Sequence, residues 1–302
     1  MKKRNTVRAT DIEQQKKKLR EHGVVINDEV FADNALMFIG YYHLGFYLYP
    51  FEKTYPHLDK RRRHEVQDGT TIEDAVAMHD FDNDLRCLLQ KYLVQIEIAF
   101  RHAVIYHMCQ KYPNKPCWYL DKSIVDGDVV DSIIADYEKI KRNDAIRTHH
   151  KNHKKSKYAP AWKTLEFETL GTMQKLYEGI LRVDDKLPIN RLFGVADTFL
   201  FAHYINTMRF LRNACAHGHI IMDFKLPMSL RVGPAGRYSG SDKQRLICVI
   251  GVMRYFVRKI STTSEKAMCK ELKECFEDFF STHPHLRSTV ECLTRLKIED
   301  FS

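Results

Sequence analysis

From Leu85 to His107, apolar side chains recur at three- and four-residue steps: Leu85, Leu88, Leu89, Tyr92, Ile96, Phe100, Ala103 and His107. A helix turns about 100° per residue, so these positions share one face. A strand alternates its faces every second residue and could not bury the same set. No glycine or proline interrupts the run, and the whole chain of 302 residues holds only 13 Gly and 9 Pro. Helical periodicity returns at residues 11–22, 127–142, from Pro160 to about 182, at 195–217, and in two or three segments after 242, with Pro284 between the last of them. The pattern predicts an all-α chain.

Breaks in periodicity give the expected loops. Pro50 ends or bends an aromatic stretch over Asp33–Tyr49, and Asp68-Gly69 reads as a turn. Residues 147–157, rich in Lys and His, read as a loop, and Pro188 and Gly194 are expected to break the chain again. Gly233, Pro234, Gly236 and Gly240 mark Arg231–Asp242 as a linker. The expected organisation is therefore a helical domain over 1–230, then a linker and C-terminal helices over 231–302 packed on the same unit.

Composition narrows the function classes. Apolar residues are 44% of the chain, enough for a sizeable core, and 48 Lys and Arg against 39 Asp and Glu give a net charge of +9. That excess favours polyanionic partners. No run of 18 apolar residues occurs, which excludes a membrane-spanning helix. No apolar signal core follows Met1-Lys2-Lys3-Arg4, so a cytoplasmic protein is expected. The eight cysteines form no CxxC pair and are expected to be reduced, buried thiols. His149, His150 and His153 include a zinc-compatible spacing, but Lys151, Lys154, Lys155 and Lys157 would repel a cation, so no metal site is expected. A GxxxxGK[ST] loop and a GxSxG element are both missing, which removes support for an NTPase or a serine hydrolase.

One helix breaks its own pattern. At 195–217, Phe201, Tyr204, Met208, Leu211 and Cys215 fall on one face, and Arg212 falls among them. A guanidinium in an apolar stripe is costly unless it is paired or reaches a cleft. Asn213, a poor interior helix former, adjoins it, and His217 follows five residues after Arg212, just before Gly218. Five helical steps turn about 140°, so a regular helix would part the two side chains; a helix ending at Gly218 lets His217 turn back toward Arg212. A permanent cation beside a group that titrates near neutrality suits phosphodiester cleavage, with histidine moving protons and arginine stabilising phosphorane charge. Glu97 and Arg101, four apart on the flank of the Leu85–His107 stripe, can pair along their helix.

These residues carry a resemblance. Arg212-Asn213-x-x-x-His217 resembles the signature of HEPN-domain ribonucleases, and the wider chain is similar to the Abi-like family of bacterial abortive-infection proteins, of the AbiD/AbiF type, which carry such a domain. The similar blocks run in order from Thr10–Gln15 through Ile39–Leu44 with Pro50-Phe51, Phe81–Arg86, Ile96–Arg101, Pro160–Trp162 with Leu176-Tyr177, to Arg212–His217, spanning about residues 10–225. Where family members often carry a second His and an Arg after the motif, this chain reads Gly218-His219-Ile220-Ile221-Met222-Asp223, so His219 is the available substitute.

The resemblance implies a helical bundle of HEPN type with additional N- and C-terminal helices. It implies a metal-independent endoribonuclease of a phage-defence or toxin-like system, in which the RNA's own 2′-hydroxyl attacks the adjacent phosphate. His217 would transfer protons, Arg212 would hold the scissile phosphate, Asn213 would position one of them, and Glu97 and Arg101 would support the helix from behind. Such sites are built from two facing copies of the motif. One copy per chain therefore implies a homodimer. RNA is the implied partner, as substrate and also as a structured noncoding RNA, and no cofactor is implied. Lys151, Lys154 and Lys155, with Arg61, Arg62 and Arg63, are the candidate phosphate contacts. Tyr41, Tyr42, Phe46 and Tyr47 could stack bases, although an apolar stretch of that kind is more often core. The competing reading is a non-catalytic RNA-binding protein of the same fold acting through a bound RNA. A metal-dependent DNA nuclease is a third, for which the sequence offers no acidic cluster.

Overall fold

The computed structural model describes residues 9–56 and 64–301, and these form α-helices, short 3₁₀ turns and isolated β-bridges, with no strand among them. The helices are α1 Ile12–Glu21, α2 Glu29–Phe38, α3 Tyr41–Leu48, α4 Ile72–Lys111, α5 Gly127–Ile140, α6 Asp144–Asn152, α7 Ala161–Thr164, α8 Leu170–Gly179, α9 Val183–Leu192, α10 Thr198–Ala216, α11 Leu246–Ile260, α12 Thr262–Thr282 and α13 Arg287–Thr294. Several begin where a short polar side chain can accept from the first exposed N–H groups: Asp11, Asp28, Asp126, Thr169 and Asp197 all do so. No described helix is long and apolar enough to cross a membrane.

The chain divides into two compact units, Met1–Arg86 with Glu274–Leu293, and Cys87–Lys273 with Thr294–Ser302, so the stretch 231–302 is shared between them. In the first unit, Lys16 ties α1 to α2 through Glu29 (3.0 Å) and Asp33 (2.6 Å) while also meeting Glu13. Buried Tyr47 donates to Asp82, which also accepts from Arg86 at 2.9 Å. Phe81 stacks on Phe279 and meets Phe276 edge-on.

In the second unit α10 packs against α8, α9 and α11. Phe201 on α10 lies within an aromatic cluster of Phe100, Tyr177, Phe193 and Phe256, with ring centroids 5.3–6.0 Å away. This core fixes the orientation of α10, whose C-terminal end carries the Arg212–His217 segment.

Several sequence expectations change. The stripe at 85–107 belongs to a helix of 40 residues, α4. The aromatic stretch at 33–49 is two helices parted at Gly40, whose φ of 93° is left-handed and stops α2. Its aromatics are split: Tyr47 is buried, whereas Tyr42 and Phe46 are exposed. Residues 147–157 are not a loop throughout, because α6 runs to Asn152 and buries Ile146 and His149 on one face. The helix expected from Pro160 to 182 is interrupted, with α8 starting anew at the Thr169 cap. Pro188 lies inside α9, where buried contacts hold the flanking turns: Tyr112 donates to Asp185 and Tyr177 to Asn190. The cysteines are not uniformly buried, since Cys87 and Cys292 are exposed while Cys248 and Cys269 are enclosed.

Candidate functional site

Helix α10 buries Phe201, Tyr204, Met208 and Leu211, and leaves Arg212 and Asn213 half-buried on the border of that face. It ends in a Schellman turn: the Gly218 N–H donates to the Cys215 carbonyl (3.4 Å) and the His219 N–H to the Ala214 carbonyl (2.9 Å). Gly218 takes a φ of 67°, and a Cβ there would meet nothing within 4 Å. Glycine is favoured here by backbone angle rather than by crowding. The turn leaves His217 as the C-cap residue, exposed, with its ring centroid 6.3 Å from that of His219, also exposed.

The Arg212 guanidinium does not sit unpaired in the apolar face. Its Nε donates to Glu97 Oε2 at 3.3 Å, and its Nη1 to Asn213 Oδ1 at 3.5 Å. Glu97, on α4, accepts with its other oxygen from Arg101 Nη2 at 2.8 Å, and the same nitrogen donates to the Glu168 backbone carbonyl at 3.0 Å. One carboxylate thus bridges two guanidinium groups from two helices. The side chains of Glu97 and Arg101 are 12% and 13% exposed, and that of Arg212 is 30%. Glu97–Arg101 is therefore more than a solvated i, i+4 pair. An arginine has five N–H donors, and those on Arg212 Nη2 have no partner among the described residues. The guanidinium is anchored on its inner edge and open on its outer one.

Glu168, whose carbonyl receives Arg101, is itself buried, and burial pushes its carboxyl above the usual range. Sequence reasoning missed its part, because a backbone carbonyl leaves no residue-type signal. It also missed Arg209 on α10, whose Nε donates to Gln174 on α8 at 2.8 Å and whose Nη2 donates to Asn206 at 2.7 Å. Its place one turn before Asn213 was the available signal.

The other candidates lie apart from this cluster. Lys151 is exposed in the last turn of α6, and Lys154 and Lys155 are exposed in the turn that follows; no described contact joins them to Arg212 or His217. Arg61, Arg62 and Arg63 lie outside the described residues. His149 is buried and stacks on His153 at 4.6 Å, while His150 bonds Tyr137 Oη and the Ser156 carbonyl. The histidines thus serve packing around α6, and no group of three His, Cys, Asp or Glu side chains suited to a metal occurs among the described residues.

A family model described as Abi-like protein matches residues 34–223. The chain belongs to the Abi-like protein family. The match takes in Glu97, Arg101 and the whole Arg212–His219 segment of this Abi-like protein, but begins after the Thr10–Gln15 block. Family membership suggests a part in abortive-infection defence. No match was found among curated proteins or among solved structures.

Proposed function

We propose that this Abi-like protein is a HEPN-type endoribonuclease that cleaves RNA without a metal, at a site formed by Arg212, Asn213 and His217 of two facing copies. The observation that carries the reading is the Arg212–Glu97–Arg101 bridge, formed on the helix that the exposed His217 caps. It holds a guanidinium while leaving its Nη2 edge open, and His217 caps the C-terminal end of the same helix, exposed.

The chemistry follows from these groups. An imidazole of His217 accepts the proton of the ribose 2′-hydroxyl as its oxygen attacks the adjacent phosphorus. The new 2′-O–P bond forms and the P–O5′ bond breaks, leaving a 2′,3′-cyclic phosphate. The partner's His217 gives a proton to the departing 5′-oxygen. Arg212, with its open edge, meets the phosphate oxygens, whose charge grows in the transition state. Asn213 orients the guanidinium through its Oδ1. A dimer places one imidazole on each side of the phosphorus, which one copy cannot do. Support for pairing comes from α4, where Val94, Ile98 and Tyr106 are exposed at four- and eight-residue steps beside Glu97 and Arg101, an apolar stripe suited to a second copy.

The test is cleavage of single-stranded RNA in EDTA by the purified protein, with cyclic-phosphate ends on the products. Arg212→Ala and His217→Ala are each expected to abolish it while the far-UV spectrum and melting midpoint stay close to those of the unaltered protein. Cutting that persists in both variants overturns the assignment. Tight co-purifying RNA without cleavage would favour a binding protein of the same fold.

A further inference from the structure

In the first unit, α1, α3 and the turn after α3 enclose a cavity of about 220 Å³. Its floor is Leu19, Val24, Leu48 and Val66, all buried. At its rim stand Tyr42 and Phe46, one helical turn apart on α3 and 86% and 56% exposed. Phe38, at the end of α2 and four residues before Tyr42, is 84% exposed. Large aromatic side chains left in water this way are costly and mark a surface that meets something. A core function is excluded for Tyr42 by its exposure.

The cavity is not purely apolar. His22 and His64 line it with ring centroids 5.5 Å apart, and Glu52, buried, accepts from His64 Nδ1 at 3.3 Å. A carboxylate only accepts, so His64 Nδ1 carries a proton in that bond. Burial, with His64 beside it, lowers the pKa of His22. His64 holds a left-handed backbone with φ 63°, rare for a residue with a side chain and frequent at binding sites. The site therefore offers a ring-sized apolar slot, a stacking face at its mouth, and imidazole edges able to form hydrogen bonds. Lys18, in the last turn of α1 and one turn before His22, is exposed.

We propose that this slot binds an unpaired nucleobase of single-stranded RNA, with Tyr42 and Phe46 stacking on the base and His22 and His64 meeting its edge. Pockets for whole drug-sized ligands run from about 300 Å³ upward, so a slot of about 220 Å³ takes a base and leaves its ribose and phosphate outside. Every base has a stacking face, and base-to-aromatic stacking is a general device for holding single strands. The proposal rests on RNA being the ligand of this protein and assigns a hold on the strand that is separate from the Arg212–His217 chemistry.

The experiment uses the full chain carrying Arg212→Ala and His217→Ala, so that the probe stays intact. Binding of a short single-stranded oligoadenylate is compared by fluorescence anisotropy with that of an abasic oligonucleotide of the same length and charge. The base-bearing strand is expected to bind about tenfold more tightly. Tyr42→Ala and Phe46→Ala together are expected to remove that advantage, leave abasic binding unchanged and leave the helical spectrum intact; Tyr42→Trp is expected to keep it. Equal affinity for the two strands overturns the proposal. So does a Tyr42→Ala variant that changes oligomeric state while binding both strands as before, because the face would then be a protein interface. Cleavage by the unaltered protein is scored separately, so failure of base binding and failure of the nuclease reading are told apart.

Discussion

Replacing Glu97 with alanine removes the carboxylate that faces Arg101 and Arg212 together, and the structure sets the size of the effect. The Arg101 pair is enclosed on both sides, and removing one member of a buried pair costs about 3–5 kcal/mol because a charge is left without its partner. Arg101 keeps the Glu168 carbonyl, which places the cost near the lower end of that range. The Arg212 pair is 3.3 Å long and nearly a third exposed on the arginine side, so it adds only what surface pairs give, about 0–1 kcal/mol. The expected loss is therefore about 3–4 kcal/mol, or a melting midpoint lower by about 6–16 °C at about 2–4 °C per kcal/mol. Glu97→Gln keeps an acceptor oxygen and loses the charge, so its loss should be about 1–2 kcal/mol, the gap between charged and neutral hydrogen bonds. Urea and thermal melts followed by circular dichroism measure both, and high salt should change the difference little, since the Arg101 pair is screened from ions. A double-mutant cycle with Arg212→Ala should show coupling of about 0.5–1 kcal/mol. If Glu97→Ala melts within about 0.5 kcal/mol of the unaltered protein, or if the cycle is additive, the bridge does not hold Arg212 and the argument for a preset guanidinium fails.

Three further outcomes are expected. Gly218→Ala should cost about 1 kcal/mol, because the 67° φ disfavours a side chain although space is open, and it should slow RNA cleavage by loosening the His217 cap; unchanged melting and unchanged rate would refute the role given to the turn. Glu168 holds its proton more strongly when folded, so its burial costs stability as pH rises from its ordinary 4.5, and Glu168→Gln should raise the midpoint at neutral pH and flatten that slope, as melts across the pH range would show. His149 behaves oppositely. Burial, with His153, Lys163 and His150 facing it, lowers its pKa, so the folded state resists its protonation and stability falls as pH drops below the ordinary 6.5. Neither of its ring nitrogens has a hydrogen-bond partner among the described residues, so His149→Phe should flatten the acid side of the stability profile; an unaltered slope contradicts the reading.

The sequence by itself determined what local spacing encodes. Apolar steps of three and four gave α4, α5 and α10, Asp and Thr side chains set several of their starts, and Gly218 set the end of α10, because all of these act within about one turn of the chain. The same local reading singled out Arg212 as a charge out of place and Glu97 and Arg101 as a pair. Only the tertiary structure brought Glu97 to Arg212, residues of α4 and α10 far apart in the chain, since no periodicity states which helices will touch. It likewise kept α9 helical across Pro188, where Tyr112 and Tyr177 tie down Asp185 and Asn190. It also divided one aromatic run into a buried Tyr47, bonded to Asp82, and an exposed Tyr42 at the mouth of a cavity. Propensity is a matter of fractions of a kcal/mol per residue, and burial of a whole side chain is worth more, so packing overrides it wherever the two disagree.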